Sequence, residues 1–316
     1  MARDVGVAAQ RGSGELGSVV TIGAFDGVHL GHREVLRLVN DLARARDLEA
    51  AVVTFDRHPA QVVRPDSAPK LLTTLDQKLE LLETTGLVDV VCVLTFDEAR
   101  STETAEEFVE ETLVGQLHAR LVVVGADFHF GHRRGGNVAL LERMGVVHGF
   151  EVIGLGLVSP EGVGGEPVSS TRIRRLLDEG DVAGAAALLG RPHAVRGTVE
   201  TGDQRGRELG FPTANLAVAP ELCLPADGIY AGTFAGADRI VRPAAISLGR
   251  RPTFYESAEV PLLEAFVLDF SGDLYGQAAE VGFLERLRGE EKFDSIDALI
   301  EQMRRDVDAT RRIVTL

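Results

Sequence analysis

From Ser18 to about Val158 the chain repeats one rhythm: a short β-branched run, a glycine-bearing turn, then apolar positions at helical spacing. Ser18–Gly23 (SVVTIG) predicts a buried strand, and Arg33–Arg46 places Val35, Leu38, Val39 and Leu42 on one helix face. Ala50–Phe55, Val88–Thr95, Ala119–Gly125 and Glu151–Val158 predict further strands. Thr104–Leu117 predicts a helix, with Thr104 and Glu107 at the spacing of a capping box. Strands this apolar are covered on both faces, so the pattern predicts a parallel, Rossmann-like α/β sheet.

After about residue 190 the pattern changes. Gly and Pro punctuate short runs around Ala194–Thr201, Ile229–Phe234, Ala244–Leu248, Leu262–Phe270 and Ala278–Phe283, which predicts a small antiparallel β-barrel. A terminal helix from Asp294 to about Ile313 would pack Ile296, Leu299, Ile300, Met303 and Val307 against it. The expected domains are 1–188 and 189–316, and the glycine-rich Ser159–Gly165 reads as a mobile loop.

A length of 316 residues suits two domains, and 45% hydrophobic with 26% charged residues is ordinary globular composition. The formal charge of −15, from 48 acidic and 33 basic residues, disfavours nucleic acid as a partner. Cys92 and Cys223 stand far apart in apolar runs, leaving no disulfide framework and no cysteine zinc site, so a reducing cytoplasm is expected. No run approaches the roughly 18 apolar residues of a membrane helix, and Met1–Gly17 lacks the apolar centre of a signal peptide. Oligomeric state is not legible in the sequence.

The segment Gly23-Ala24-Phe25-Asp26-Gly27-Val28-His29-Leu30-Gly31-His32 follows the first strand and opens the first helix. Ligands of open α/β sheets bind at such strand ends, where backbone N–H groups and the helix dipole favour phosphate. Its glycines let the backbone approach, and His29 and His32 can donate to phosphate oxygens. A tight turn with a capping histidine is the bland reading; a metal pair lacks a third ligand nearby. Ser169-Ser170-Thr171-Arg172-Ile173-Arg174 enters another helix, its hydroxyls suited to capping. Alone it would be a capped helix with solvated arginines. Val124–Asn137 ends a strand in a glycine-rich, aromatic and basic loop whose composition can stack a planar ring and grip a phosphate. Phe128 and Phe130 there are equally suited to a core.

The HxGH and SSTxIR pair resembles the nucleotidylyl transferases, while GxDFxFG and the Phe55-Asp56-Arg57-His58-Pro59 turn resemble bacterial FAD synthetases. The resemblance implies that ATP is held by Gly23, Phe25, Asp26, Gly27, His29, Gly31 and His32 from the first loop. Ser169, Ser170, Thr171, Arg172 and Arg174 would join them from the second. His29, His32 and Arg174 would be catalytic, stabilising charge on the phosphorus in flight. Flavin would meet His58, Asp127, Phe128, Phe130 and Gly131; no role is given to Asp56.

In the second half, Gly206-Arg207-Glu208-Leu209-Gly210-Phe211-Pro212-Thr213-Ala214-Asn215 combines a glycine-rich turn with an extended Pro-Thr-x-Asn. Alternation puts the Thr213 hydroxyl and the Asn215 amide on one side, and such oxygens suit Mg²⁺ on ATP phosphates. This string resembles riboflavin kinase, as do Pro225–Gly232, Ser247–Phe254, Leu263–Gly276 and Arg288 to Phe293 in order. The resemblance implies an ATP site at Gly206, Arg207, Gly210, Phe211, Pro212, Thr213 and Asn215, Mg²⁺ on Thr213 and Asn215, and Glu264 as general base. Two residues beyond the glutamate the family usually has histidine, whereas this chain has Phe266; alternation puts Glu264 and Phe266 on one face, so the neighbourhood of the base is more apolar than usual.

Together these motifs resemble the bacterial bifunctional riboflavin kinase and FAD synthetase family. That implies two Mg²⁺-dependent steps: ATP and riboflavin give FMN and ADP, then ATP and FMN give FAD and pyrophosphate. Two other readings stand beside it: a flavin-binding regulatory protein that has lost one or both activities, and a nucleotidylyl transferase with another phosphate acceptor.

Overall fold

A computed structural model describes residues 5–9, 17–156, 166–202, 211–251 and 260–315. The chain divides into two compact units, residues 1–71 with 75–169, and residues 72–74 with 170–316.

In the first unit the apolar runs become β1 (Val5–Ala9), β2 (Ser18–Ile22), β3 (Glu49–Phe55), β4 (Val90–Leu94), β5 (Ala119–Gly125) and β8 (Glu151–Leu155). They form one sheet in the order β1-β4-β3-β2-β5-β8. All neighbours run parallel except β1, which pairs antiparallel with β4, Val5 opposite Leu94 and Ala9 opposite Val90. A two-stranded hairpin, β6 (His129–Phe130) and β7 (Gly136–Asn137), stands outside the sheet. The helices are α1 (Leu30–Arg44), α2 (Ala60–Val63), α3 (Leu75–Thr84), α4 (Glu98–Ser101), α5 (Ala105–Phe108) and α6 (Val138–His148).

Both sheet faces are covered, as the unbroken apolar strands require. Val20, Ile22, Val53, Cys92 and Val122 pack with Phe108, Leu113, Leu141 and Met144. On the opposite face Val52 and Val91 meet Leu36 and Leu82, and Val19 and Leu121 meet Val39. The expected capping box at Thr104 is present, with Thr104 and Glu107 bonded reciprocally. Beyond Phe108, however, the helix widens into a π-helix, Val109–Gln116, with Leu117 N–H donating to the Thr112 carbonyl. This winding buries Val109, Thr112 and Leu113 together.

In the second unit, α7 (Ser170–Asp178) and α8 (Val182–Leu189) precede β9 (His193–Glu200), β10 (Ala214–Val218), β11 (Gly228–Ala235), β12 (Val241–Arg251), β13 (Val260–Val267) and β14 (Ala278–Arg288). The six strands close an antiparallel barrel in the order β10-β13-β12-β11-β14-β9. Alternation sorts its faces: Leu263, Ala265 and Val267 are buried with Ala214, Leu216, Ala244, Ile246 and Leu248. Asn215, Glu264 and Phe266 therefore lie on the other face, each half-buried.

The terminal helix α9 (Ile296–Ile313) packs on β11, β12 and β14. One expectation about it fails: Ile296 is 65% exposed. The helix is buried through its later turns, at Asp306 and Thr310, while Leu299, Ile300, Met303 and Val307 are half-buried. The Asp306 carboxylate accepts from Arg288 Nη2 at 2.8 Å and from Gln302 Nε2 at 2.9 Å, which satisfies the polar stripe. The Ser159–Gly165 segment lies outside the described residues.

Candidate active sites

Strand order reverses between β2 and β5, and ligands of such sheets bind at the carboxyl ends flanking that switch point. Three of the predicted segments leave strands at that end: Gly23–His32 after β2, Phe55–Pro59 after β3 and the loop following Gly125 after β5.

The Gly23–His32 loop holds a strained backbone. Phe25 has φ 48° and Val28 φ 39°, beside Gly27 at 81°; a β-branched residue is a genuine outlier there. Phe25, Asp26, Val28 and His29 are buried, so the surroundings enforce the shape. His29 caps α1, its Nδ1 accepting from the His32 backbone N–H at 3.2 Å. That bond requires Nδ1 to be the unprotonated nitrogen, which leaves the ring proton on Nε2. The His29 and His32 rings stack with centroids 3.6 Å apart. Gly31 makes room for them: a Cβ would stand 3.2 Å from both the His29 ring and the Val168 carbonyl oxygen. Burial, then the His29 and Lys78 charges, holds the His32 pKa well below the histidine value, so this ring is neutral near pH 7.

Lys78 on α3 was not singled out by any motif. Its buried ammonium donates to the Phe55 carbonyl at 2.7 Å and the Ala24 carbonyl at 3.2 Å. Thr54 Oγ1 donates to the same Ala24 oxygen at 3.1 Å. Asp56 accepts from the Phe96 N–H at 2.9 Å and pairs with Arg57 at 3.2 Å. His58 Nδ1 accepts from Ala60 N–H at 3.1 Å at the start of α2.

After β5, Asp127 is exposed, and Phe128 and Phe130 are half-buried against the core. Their rings stack at 5.4 Å, with Phe108 5.5 Å from Phe130. Gly131, at φ 71°, lies against Ala105: a Cβ added there would stand 2.6 Å from the Ala105 N. Arg133 and Arg134 follow at φ 52° and 59° and are exposed. Beneath lies a buried ion pair, Arg100 Nη1 to the two Glu103 oxygens at 2.7 and 2.9 Å. The Glu103 carbonyl accepts from His132 N–H at 2.7 Å. Of the SSTRIR segment, Ser169 ends the first unit; Ser170, Thr171, Arg172 and Arg174 open the second on α7, which is anchored by buried Ile173 and Leu177.

On the barrel, β10 and β13 set Asn215 opposite Glu264. The Thr213 hydroxyl donates to Glu264 Oε1 at 3.4 Å. Phe266 meets Phe211 edge to face at 5.2 Å, so the residue in place of the usual histidine packs on the segment leading to Thr213. Pro212 is exposed. Gly206, Arg207 and Gly210 lie outside the described residues.

A sheet with an anion-seeking strand end and a closed barrel with a carboxylate beside a hydroxyl define a two-part, nucleotide-using class of protein. The sequence matches agree with both parts. Residues 13–172 match the FAD synthetase family and residues 189–314 the riboflavin kinase family. The bifunctional riboflavin kinase/FMN adenylyltransferase of Escherichia coli K12 is 37% identical over 290 residues, covering 92% of this chain and 90% of the relative. That of Haemophilus influenzae is 37% identical over 295 residues, 93% of this chain and 94% of the relative. That of Bacillus subtilis 168 is 35% identical over 293 residues, 92% and 90%. A solved structure described as a macrolide-efflux protein from Streptococcus pneumoniae aligns with TM-score 0.81 and 33% identity over 96% of each chain. The chain belongs to the bifunctional riboflavin kinase/FMN adenylyltransferase family. Among the described residues no helix is long and apolar enough to cross a membrane.

Proposed function

We propose that this chain makes FMN from riboflavin and ATP on the barrel, and FAD from FMN and ATP on the parallel sheet. The observation that carries the reading is the pairing of two family matches with a stacked histidine pair in one unit and a Thr213–Glu264 contact in the other. We put the functional division at 188/189; the start of the riboflavin kinase match at 189 supports it.

In the kinase reaction Glu264 takes the proton of the ribityl 5′-hydroxyl as that oxygen attacks the γ-phosphorus of ATP, and ADP leaves. Thr213 hydrogen-bonds the carboxylate and fixes its direction. Gly206, Arg207, Gly210, Phe211 and Pro212 complete the nucleotide site, Phe211 being braced by Phe266. The hydroxyl of Thr213 and the amide oxygen of Asn215 are hard donors, which fit Mg²⁺. Bound Mg²⁺ supplies neutralisation of the phosphate charge.

In the second reaction an FMN phosphate oxygen attacks the α-phosphorus of ATP, forming the new P–O bond as pyrophosphate leaves. No base is required, so the task is positioning and charge stabilisation. His29 offers its Nε2–H at the N-terminus of α1, His32 stacks behind it, and Arg174 adds a fixed positive charge. Gly23, Phe25, Asp26, Gly27, Gly31, Ser169, Ser170, Thr171 and Arg172 shape the nucleotide site. Asp127, Phe128, Phe130, Gly131 and His58 receive the flavin. Retention of His29, His32, Arg174, Thr213, Asn215 and Glu264 speaks against a purely regulatory protein.

The test is a time course with purified protein, riboflavin, ATP and Mg²⁺, the flavins resolved by chromatography. FMN appearing before FAD is expected. FMN alone would leave the sheet without the assigned acceptor, and flavin binding without turnover would refute the enzyme reading.

A further inference from the structure

Lys78 is one of only three lysines in the chain, and it is 7% exposed. Burying an ammonium is costly unless acceptors surround it. Here the acceptors are the Ala24 carbonyl, inside the loop that carries the histidine pair, and the Phe55 carbonyl, at the end of the neighbouring strand. An ammonium has three donors; the third has no hydrogen-bond acceptor among the described residues.

We propose that Lys78 is a positioning residue of the nucleotide-transfer site: its ammonium ties the Gly23–His32 loop to the end of β3 and sets a positive charge beneath it. The inference rests on the assignment of adenylyl transfer to this loop. Three observations support it. The loop is strained at Phe25 and Val28, so something must hold it. Ala24 O is held twice, by Lys78 and Thr54. The groups facing the ammonium are the carboxylates of Asp26 and Asp56, which favour its charge, and the His32 ring, whose protonation it opposes. A methionine of similar length would fill the space, yet would leave two part-buried carbonyls with one donor fewer and remove the charge.

The role has a signature that mere packing lacks. Burial pulls the Lys78 pKa down to about 8, against the pull of Asp26 and Asp56. The ammonium is therefore charged at pH 7 and largely neutral at pH 9. Because kcat/KM reports ionisations of the free enzyme, FAD formation from FMN and ATP is expected to fall about tenfold between pH 7 and 9. FMN formation on the same molecules provides the internal control.

The experiment measures both activities of the full chain from pH 6.5 to 9.5 in the wild type, Lys78→Met, Lys78→Arg and His29→Ala. Lys78→Met is expected to lower kcat/KM for FAD formation at pH 7.5 at least tenfold, to lose the alkaline limb, and to keep FMN formation within twofold. Lys78→Arg is expected to recover part of the rate and to shift the limb beyond pH 9.5, since guanidinium does not titrate there. A wild-type profile flat to pH 9.5 overturns the proposal, as does a limb near pH 8 that persists in either Lys78 variant. If Lys78→Met also loses FMN formation, the wild-type and Lys78→Arg profiles decide. His29→Ala separates the two levels of inference: if it still makes FAD, the assignment of the loop fails; if it does not, the Lys78 results stand alone.

Discussion

Gly131→Ala tests how the loop proposed to receive the flavin is held. At φ 71° and ψ 175° Gly131 occupies a region open essentially to glycine alone, which costs alanine about 1–3 kcal/mol. A Cβ there would also lie 2.6 Å from the Ala105 N, 2.7 Å from its Cα and 2.8 Å from its Cβ. Two of those atoms are backbone, at the start of α5, so a side-chain rotation relieves nothing; overpacking of this kind costs about 1–3 kcal/mol. A value of about 3 kcal/mol, in the lower half of the combined range of about 2–6 kcal/mol, at 1.4 kcal/mol per decade, disfavours the docked loop roughly 100-fold. The expected result is a KM for FMN raised about 10- to 100-fold in FAD formation, with FMN formation unchanged. Ala105→Gly in the same chain should restore little, because it removes only the Cβ contact. Steady-state FAD formation with FMN varied is the assay. A Gly131→Ala protein with KM and kcat within twofold of wild type would refute the argument.

Three further outcomes are expected. Glu264→Gln should abolish FMN formation from riboflavin and leave FAD formation from supplied FMN, and loss of both in a folded protein would contradict two separate sites. Glu103→Gln leaves Arg100 buried without its counter-charge, which costs about 3–5 kcal/mol; at about 2–4 °C per kcal/mol for a domain this size, calorimetry should show a fall of at least about 6 °C. His32 has a depressed folded pKa, so the unfolded chain binds its proton first: this stability is full above the ordinary value of 6.5 and lost as pH falls through it. Tm should accordingly drop more between pH 7.5 and 5.5 in wild type than in His32→Asn, and equal drops would exclude the effect.

Strand runs such as SVVTI and VVCVL announced themselves because burial on both faces leaves no polar alternation to blur them. The barrel was legible from punctuation, and the shared side of Thr213 and Asn215 from alternation, while Glu264 came from the family resemblance alone; the structure adds that Asn215 and Glu264 are register partners. Lys78 was invisible because a lysine on a helix reads as solvated until the fold wraps strand ends around it. Arg100 and Glu103 were hidden likewise, since a pair three residues apart looks the same on a surface as in a core. The π-helix escaped for a different reason: its apolar spacing imitates the ordinary helical period. Ile296 misled because periodicity marks a stripe and does not say which turn of the helix reaches the barrel.

The antiparallel pairing of β1 with β4 concerns solubility more than catalysis. Without it, VVCVL would present a line of unpaired backbone N–H and C=O groups along an apolar strand, the template on which chains add to one another. The β1 pairing thus covers an edge of the kind on which chains self-associate. A chain starting at Gly17 should retain the residues of both proposed sites and still grow aggregation-prone with concentration, an effect that light scattering would register before any loss of turnover.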